Sequence, residues 1–251
     1  GSVEAQNAFK DVDIDLRIYN GEEVHAPDNP VHIVSFGASG SISAFYKDEN
    51  ANREEVKKLA ETLPELPTGV NRYQYASCLW VFNKIHELGG LGMFAHHYWF
   101  TSHKFTPAGA LTSHLFDTQA FDVLELISGF DKSSMTEADT NLLQVARYQE
   151  ERAKGRKIPI AGISDTHGHE RSETFGRYYT VVFAPTSDLA DIKAGIMDLR
   201  SVAVEAVGGE LPRSYGPFRL VKYNQFLLRE VFPQHDELCF EEGRLMIQRS
   251  E

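Results

Sequence analysis

Cysteine is scarce in this chain: only Cys78 and Cys239 occur among 251 residues, and they form no Cys-x-x-Cys pair. This excludes a zinc ribbon and a disulfide framework, and it fits a reducing cytoplasm. Long apolar runs are also lacking, so we expect no membrane-spanning segment. No charged start followed by an apolar stretch opens the chain, so no signal peptide is predicted.

Basic residues are outnumbered, with 25 Lys and Arg against 36 Asp and Glu and a net charge of −11 when histidine is neutral. Such an acidic surface repels phosphate backbones, which argues against an extended nucleic acid as partner. The 42% hydrophobic and 24% charged residues exclude disorder, collagen and coiled coil. Because no repeat or low-complexity linker divides the chain, we predict that residues 1–251 form a single domain.

Apolar runs alternate with helical patterns along the chain. Strands are predicted at residues 31–37, 91–94, 121–127, 158–163, 178–184, 202–207 and 244–248, and helices at 53–63, 73–88, 138–154, 187–199 and 218–231. The strands are continuously apolar, which is typical of a parallel sheet covered by helices and therefore of the α/β class. In such folds the active site lies at the carboxyl ends of the strands.

The motif Ser164-Asp165-Thr166-His167 follows the predicted strand at 158–163. On an extended strand end, the side chains of Asp165 and His167 point to the same side. A carboxylate oxygen and an imidazole nitrogen together suit zinc, manganese or iron. The alternative is a capping aspartate followed by an ordinary loop histidine.

Two further clusters of ionisable residues lie at or beside predicted strands. His96 and His97 follow the apolar run at 91–94, where they either point into a site or bind backbone carbonyls. His32 lies inside an apolar strand, where a lone imidazole needs a partner, and a metal ion would be one. Glu23 is either a ligand or part of a solvated loop. Together the three clusters supply ligands for two or three metal ions, which can activate water and stabilise a phosphoryl group.

The order of four motifs within residues 21–184 resembles the PHP family (polymerase and histidinol phosphatase domains), most of all its bacterial metal-dependent phosphoesterase branch. The motifs are G-x-E, H-I-V, G-G-x-x-x-x-A-H and G-I-S-D-T-H-G. The resemblance implies a distorted (β/α)7 TIM-like barrel around two or three divalent ions of zinc, manganese or iron. By motif position it makes Glu23 a bridge between two metals. It implies metal ligands at Glu23, His32, His96, Asp165 and His167, and catalytic roles for Glu23, His96, Asp165 and His167.

The implied activity is hydrolysis of a small phosphorylated substrate, a nucleotide or sugar phosphate, by metal-activated water in the cytoplasm. Arg177 and His97 are the expected substrate-binding residues. The guanidinium of Arg177 suits phosphate oxygens, although a solvated loop arginine is the alternative. Two other functions remain open: a degenerate barrel that binds a partner without catalysis, and a metal-dependent amidohydrolase.

The sequence departs from the family at its start, because no H-x-H motif stands ahead of Gly21. Either the motif precedes Gly1 in the natural protein or it has been lost. In both cases we expect a barrel that is incomplete at its amino end and a chain that binds metal weakly by itself. Sheet edges exposed in this way favour association into an oligomer.

Overall fold

A computed structural model of the chain describes residues 17–99, 107–129, 135–166, 176–206 and 211–234, with isolated positions at 7, 236–238, 240–241 and 244. Within these residues the strands are β1 (Gly21–Val24), β2 (Ile33–Phe36), β3 (Leu91–Phe94), β4 (Val123–Ser128), β5 (Ile160–Ile163), β6 (Tyr178–Val182), β7 (Ser201–Glu205) and β8 (Arg213–Tyr215). The α-helices are α1 (Glu49–Thr62), α2 (Arg72–Glu87), α3 (Gly109–Thr118), α4 (Met135–Ala153), α5 (Leu189–Met197) and α6 (Phe218–Phe226). A 3-10 helix covers Ile42–Tyr46 and a π-helical stretch covers Leu227–Val231.

The described strands form two sheets in a mixed α/β arrangement. The first has five strands in the order β1-β2-β3-β4-β5, and the second has three in the order β6-β7-β8. Parallel pairing, as predicted, joins β3 to β4 and β4 to β5. All other pairs are antiparallel. A continuous apolar run indicates that a strand is buried on both faces. It does not indicate whether the neighbouring strand runs parallel or antiparallel to it.

Side chains join the two sheets. The hydroxyl of Thr180 on β6 donates to the carbonyl of Gly162 on β5 at 2.8 Å and accepts from its amide at 2.9 Å. The hydroxyl of Ser201 on β7 donates to the carbonyl of Ile160 at 2.7 Å. A Cβ at position 162 would lie 2.8 Å from the carbonyl oxygen of Tyr179, so this close approach requires glycine. No closed barrel is seen among the described strands.

Helix α2 shows how the core is built from the sequence. The side chain of Asn71 accepts a hydrogen bond from the amide of Gln74 at 3.1 Å and so caps the first turn. Gly89, with a φ of +71°, follows the last turn. Between these ends, apolar residues at helical spacing form a buried stripe that contains Cys78, Val81, Phe82 and Ile85. This stripe packs over the sheet and fixes the strands that carry the site.

Most predicted strands are present with shorter bounds, whereas the helices predicted at 53–63 and 138–154 begin earlier, at Glu49 and Met135, and α3 was not predicted. The strand at 91–94 is confirmed as predicted, and β1 and β8 were not predicted. The predicted strand at 244–248 lies outside the described residues except for Arg244, which is helical. Among the helices that the structure describes, none has the length and hydrophobicity needed to cross a membrane.

Candidate metal centre

Three neighbouring strands bring Glu23, His32 and His96 together. Glu23 is on β1, His32 directly precedes β2, and His96 lies two residues after the end of β3. The pairing of β2 with β3 continues past their ends, because the amide of Ala95 donates to the carbonyl of His32 at 3.2 Å. This antiparallel pairing places the start of one strand beside the end of the next, so the two imidazoles meet.

The side-chain atoms of these three residues form a small triangle. The Nδ1 atom of His32 lies 2.8 Å from Oε1 of Glu23 and 2.6 Å from Nε2 of His96. The third edge, from Nε2 of His96 to Oε1 of Glu23, is 3.5 Å. His32 and His96 are 8% and 5% exposed, whereas Glu23 is 27% exposed. The triangle is thus buried on the histidine side and opens to solvent through the carboxylate.

A tight turn aims the imidazole of His96 into this triangle. His96 has a φ of +21°, which costs a residue with a side chain about 1–3 kcal/mol. The turn is closed by the amide of Trp99, which donates to the carbonyl of His96 at 2.8 Å. The Trp99 ring then packs 5.4 Å from the ring of His96 and 5.8 Å from that of His32. The positive φ of His96 is therefore an unfavourable backbone conformation that places its imidazole in the cluster.

The charges in the cluster reinforce one another. Burial raises the pKa of Glu23, but hydrogen bonds from His25 and His32 and the charges of His32 and His96 outweigh it, so the pKa lies well below its usual range. Burial lowers the pKa of His96, but Glu125, Asp165 and Glu23 outweigh it, and the net shift is upward. His96 therefore holds a proton more strongly than an ordinary histidine does, and a metal ion that binds to His96 must displace this proton.

Two residues border the triangle without belonging to it. Glu125 on β4 has no solvent exposure, and its Oε2 lies 3.2 Å from Nδ1 of His96. His25 lies on the exposed side, where its ring stacks at 4.4 Å on that of His32 and its Nε2 is 3.4 Å from Oε2 of Glu23. Neither Glu125 nor His25 is among the site residues that the sequence predicts.

Glu22 and Glu23 have opposite roles because successive side chains on a strand point to opposite faces. Oε2 of Glu22 accepts from the amide of Ile42 at 2.6 Å, and its Oε1 accepts from the amide of Ser43 at 3.0 Å. Glu22 thus caps the 3-10 helix, while Glu23 faces the histidines. The sequence of this short polar segment did not indicate a strand. Once β1 forms, the alternation of its side chains decides that Glu23, and not Glu22, belongs to the site.

The other predicted site residues do not join the triangle in the described part of the chain. Asp165, just past β5, has a φ of +48°, and its charge helps to raise the pKa of His96. It is not one of the three residues whose ligand atoms lie within 4.8 Å of one another. His167 lies outside the described residues. Arg177 directly precedes β6, where its carbonyl accepts from the amide of Ala206, and its role in substrate binding stays a prediction.

His97 turns away from the triangle although it adjoins His96. It is 2% exposed, and its ring lies 5.0 Å from that of Phe94, 5.3 Å from Phe116 and 4.6 Å from Tyr98. Among the described residues, neither of its ring nitrogens has a hydrogen-bond partner. Burial, with smaller effects from the charges of Arg147 and His96, lowers the pKa of His97 to about 3. The imidazole is therefore neutral and packed as an aromatic side chain, and its predicted substrate contact stays untested.

The triangle fits a divalent cation after a small expansion. A tetrahedral zinc ion with bonds of about 2.0–2.1 Å holds its ligand atoms about 3.3 Å apart. The edge of 3.5 Å from Glu23 to His96 is close to this length, whereas the edges of 2.8 and 2.6 Å must widen by roughly 0.5–0.7 Å. Two imidazoles and one carboxylate with a solvent-facing side are typical of a catalytic zinc site, and manganese and iron accept the same donors.

Comparison with known proteins tests the fold. No protein-family model and no curated protein matches the chain. Among solved structures, the chain is similar to a two-domain protein from Bacteroides vulgatus ATCC 8482, described as containing a predicted PHP-like metal-dependent phosphoesterase. The fold is PHP-like. The two structures superpose with a TM-score of 0.53 at 15% sequence identity, over 88% of this chain and 52% of the other. The chain thus spans about half the length of that protein, and at this identity the likeness concerns the fold alone.

Proposed function

We propose that the chain is a metal-dependent phosphoesterase that hydrolyses a small phosphorylated substrate of the nucleotide or sugar phosphate class. The observation that carries the proposal is the meeting of Glu23, His32 and His96 in one group that is buried on the histidine side and open to solvent at the carboxylate. The PHP-like fold supports it, because the similar solved protein is described as containing a predicted enzyme of this class. The net charge of −11 favours a small phosphate ester over an extended nucleic acid.

Each residue of the group has a part in this proposal. Glu23, His32 and His96 hold a divalent cation, and Asp165 and His167 complete the ligand set for one or two more. Such ions supply Lewis acidity and activate water for attack on phosphorus. Because the pKa of Glu23 is low, its carboxylate is charged near neutral pH and needs to lose no proton before it binds a cation. Arg177 is proposed to hold the phosphate oxygens.

The complete fold is proposed to be a distorted TIM-like barrel of the PHP type. The support is the position of β5, which pairs with β4 in the first sheet and is hydrogen-bonded to β6 and β7 in the second. These contacts place the second sheet against the edge strand β5 of the first, as a barrel of this type requires.

The proposal is tested by metal analysis and by hydrolysis of an aryl phosphate. Wild-type protein is expected to bind zinc or manganese and to release phosphate, whereas E23Q should lose most of its bound metal and its activity. The matched control is E22Q, which makes the same change on the opposite face of β1 and should retain both. The proposal fails if both this chain and a chain extended at its amino end are metal-free and inert.

One observation favours a second candidate, a binding module without catalysis. The described residues bring only three ligands into one group, which is enough to hold one ion. A chain that binds metal through Glu23, His32 and His96 but hydrolyses no phosphate ester, even when extended, would support this second function.

A further inference from the structure

Glu125 is the most deeply buried carboxylate beside the candidate metal centre. It lies in the middle of β4, opposite Ala161 of β5, and has 0% exposure. Its Oε2 lies 3.2 Å from Nδ1 of His96. In the described part of the chain, its Oε1 is buried without a hydrogen-bond partner.

A carboxylate buried in this way does not stabilise the fold. Removal of a carboxylate from water costs several kcal/mol, and one hydrogen bond does not compensate for it. A hydrophobic side chain of similar volume at this position would give a more stable core. The one hydrogen bond that the structure describes for the Glu125 side chain goes to His96, so the role of the carboxylate is to be found in what it does to that imidazole.

The contact decides which nitrogen of His96 faces the triangle. A carboxylate oxygen only accepts hydrogen bonds, so Nδ1 of His96 is the donor. In the neutral ring the lone pair is then on Nε2, the atom that lies 3.5 Å from Oε1 of Glu23 and 2.6 Å from Nδ1 of His32. A metal-binding histidine is commonly held by a carboxylate in this way, which orients the ring and makes it a stronger base.

We propose that Glu125 is a positioning residue, which fixes the tautomer and the orientation of His96 so that Nε2 binds the cation. The inference rests on the proposed metal site. It extends that site by one residue that touches neither cation nor substrate.

The test compares E125Q and E125M with the control S128A. Ser128 is also on β4 and fully buried, and its hydroxyl has no hydrogen-bond partner within the described residues. Zinc affinity is measured by competition with a chromophoric chelator. S128A should match the wild type, E125Q should bind about tenfold more weakly, and E125M should lose the full effect of an outer-shell partner, roughly 10–100-fold. Glutamine still accepts the hydrogen bond but lacks the charge, which explains the intermediate value.

The second readout is the ¹⁵N spectrum of His96 in metal-free protein, at a pH where the ring is neutral. Wild type and E125Q should show the tautomer protonated at Nδ1, and E125M should lose this preference. Wild-type zinc affinity in E125M, or in E125Q if E125M does not fold, overturns the inference, as does an unchanged tautomer in E125M. If neither this chain nor the chain extended at its amino end binds zinc or manganese, the proposed function fails, while the tautomer comparison still decides the role of Glu125.

Discussion

The buried imidazole of His97 leads to a quantitative prediction about stability and pH. In the folded chain the pKa of His97 is lowered to about 3, against 6.5 for an unperturbed histidine. The largest cause is burial among aromatic rings, and the charges of Arg147 and His96 act in the same direction. The unfolded chain therefore binds a proton between pH 6.5 and about pH 3 that the folded chain does not bind.

The sign follows from this difference in bound protons. Stability rises with pH wherever the unfolded state binds more protons, so His97 costs stability as the pH falls below 6.5. Each pH unit in this window corresponds to about 1.4 kcal/mol, because one pKa unit has that value at 25 °C. Between pH 7.5 and pH 5.0 the loss from His97 alone amounts to about 2 kcal/mol.

The variant His97→Phe isolates this effect. Phenylalanine keeps an aromatic ring beside Phe94, Tyr98 and Phe116 and removes both ring nitrogens and the titration. Urea unfolding in the presence of a chelator, at several pH values between 7.5 and 5.0, gives the difference in unfolding free energy between variant and wild type. The difference should shift by about 2 kcal/mol in favour of the variant at pH 5.0, whatever its value at pH 7.5. A difference that does not vary with pH would refute the reasoning.

Two further predictions concern the core. Burial raises the pKa of the Cys78 thiol to about 12. In a Cys239→Ser background this thiol should therefore not react with a disulfide reagent until the chain is unfolded. Rapid reaction of the native protein would contradict this prediction. A Cβ at Gly92 would lie 2.5 Å from the ring of the buried Phe82, so Gly92→Ala should destabilise the chain by about 1–3 kcal/mol in thermal or urea unfolding. In the matched control Gly109→Ala no atom lies within 4 Å of the new Cβ, and an equal loss there would argue against the packing explanation.

The strands that carry the site could be predicted from the sequence because they are apolar runs with clear ends. Residues 91–94 run between Gly90 and Ala95, and the structure forms β3 there. The strand β1 was not predicted, because Gly21–Val24 contains two glutamates and reads as a loop. Its role became visible only in its pairing with β2, which places Glu23 on the face of the histidines.

Neither the direction of the strands nor the position of individual side chains could be predicted from the sequence, and the reason is physical. Both depend on contacts between residues far apart in the chain. His96 and His97 are equivalent in the sequence, yet the turn at His96 sends one ring to Glu23 and the other among Phe94 and Phe116. Between Glu125 and Ile127 the register of β4 against β5 shifts, and no local pattern announces it.

The central claim is that Glu23, His32 and His96 bind a divalent cation. The most direct test is the anomalous scattering of zinc in crystals of the chain grown with the metal. The account predicts a peak in bonding contact with Oε1 of Glu23, Nδ1 of His32 and Nε2 of His96. The absence of a peak among these atoms in crystals that bind zinc elsewhere would contradict it.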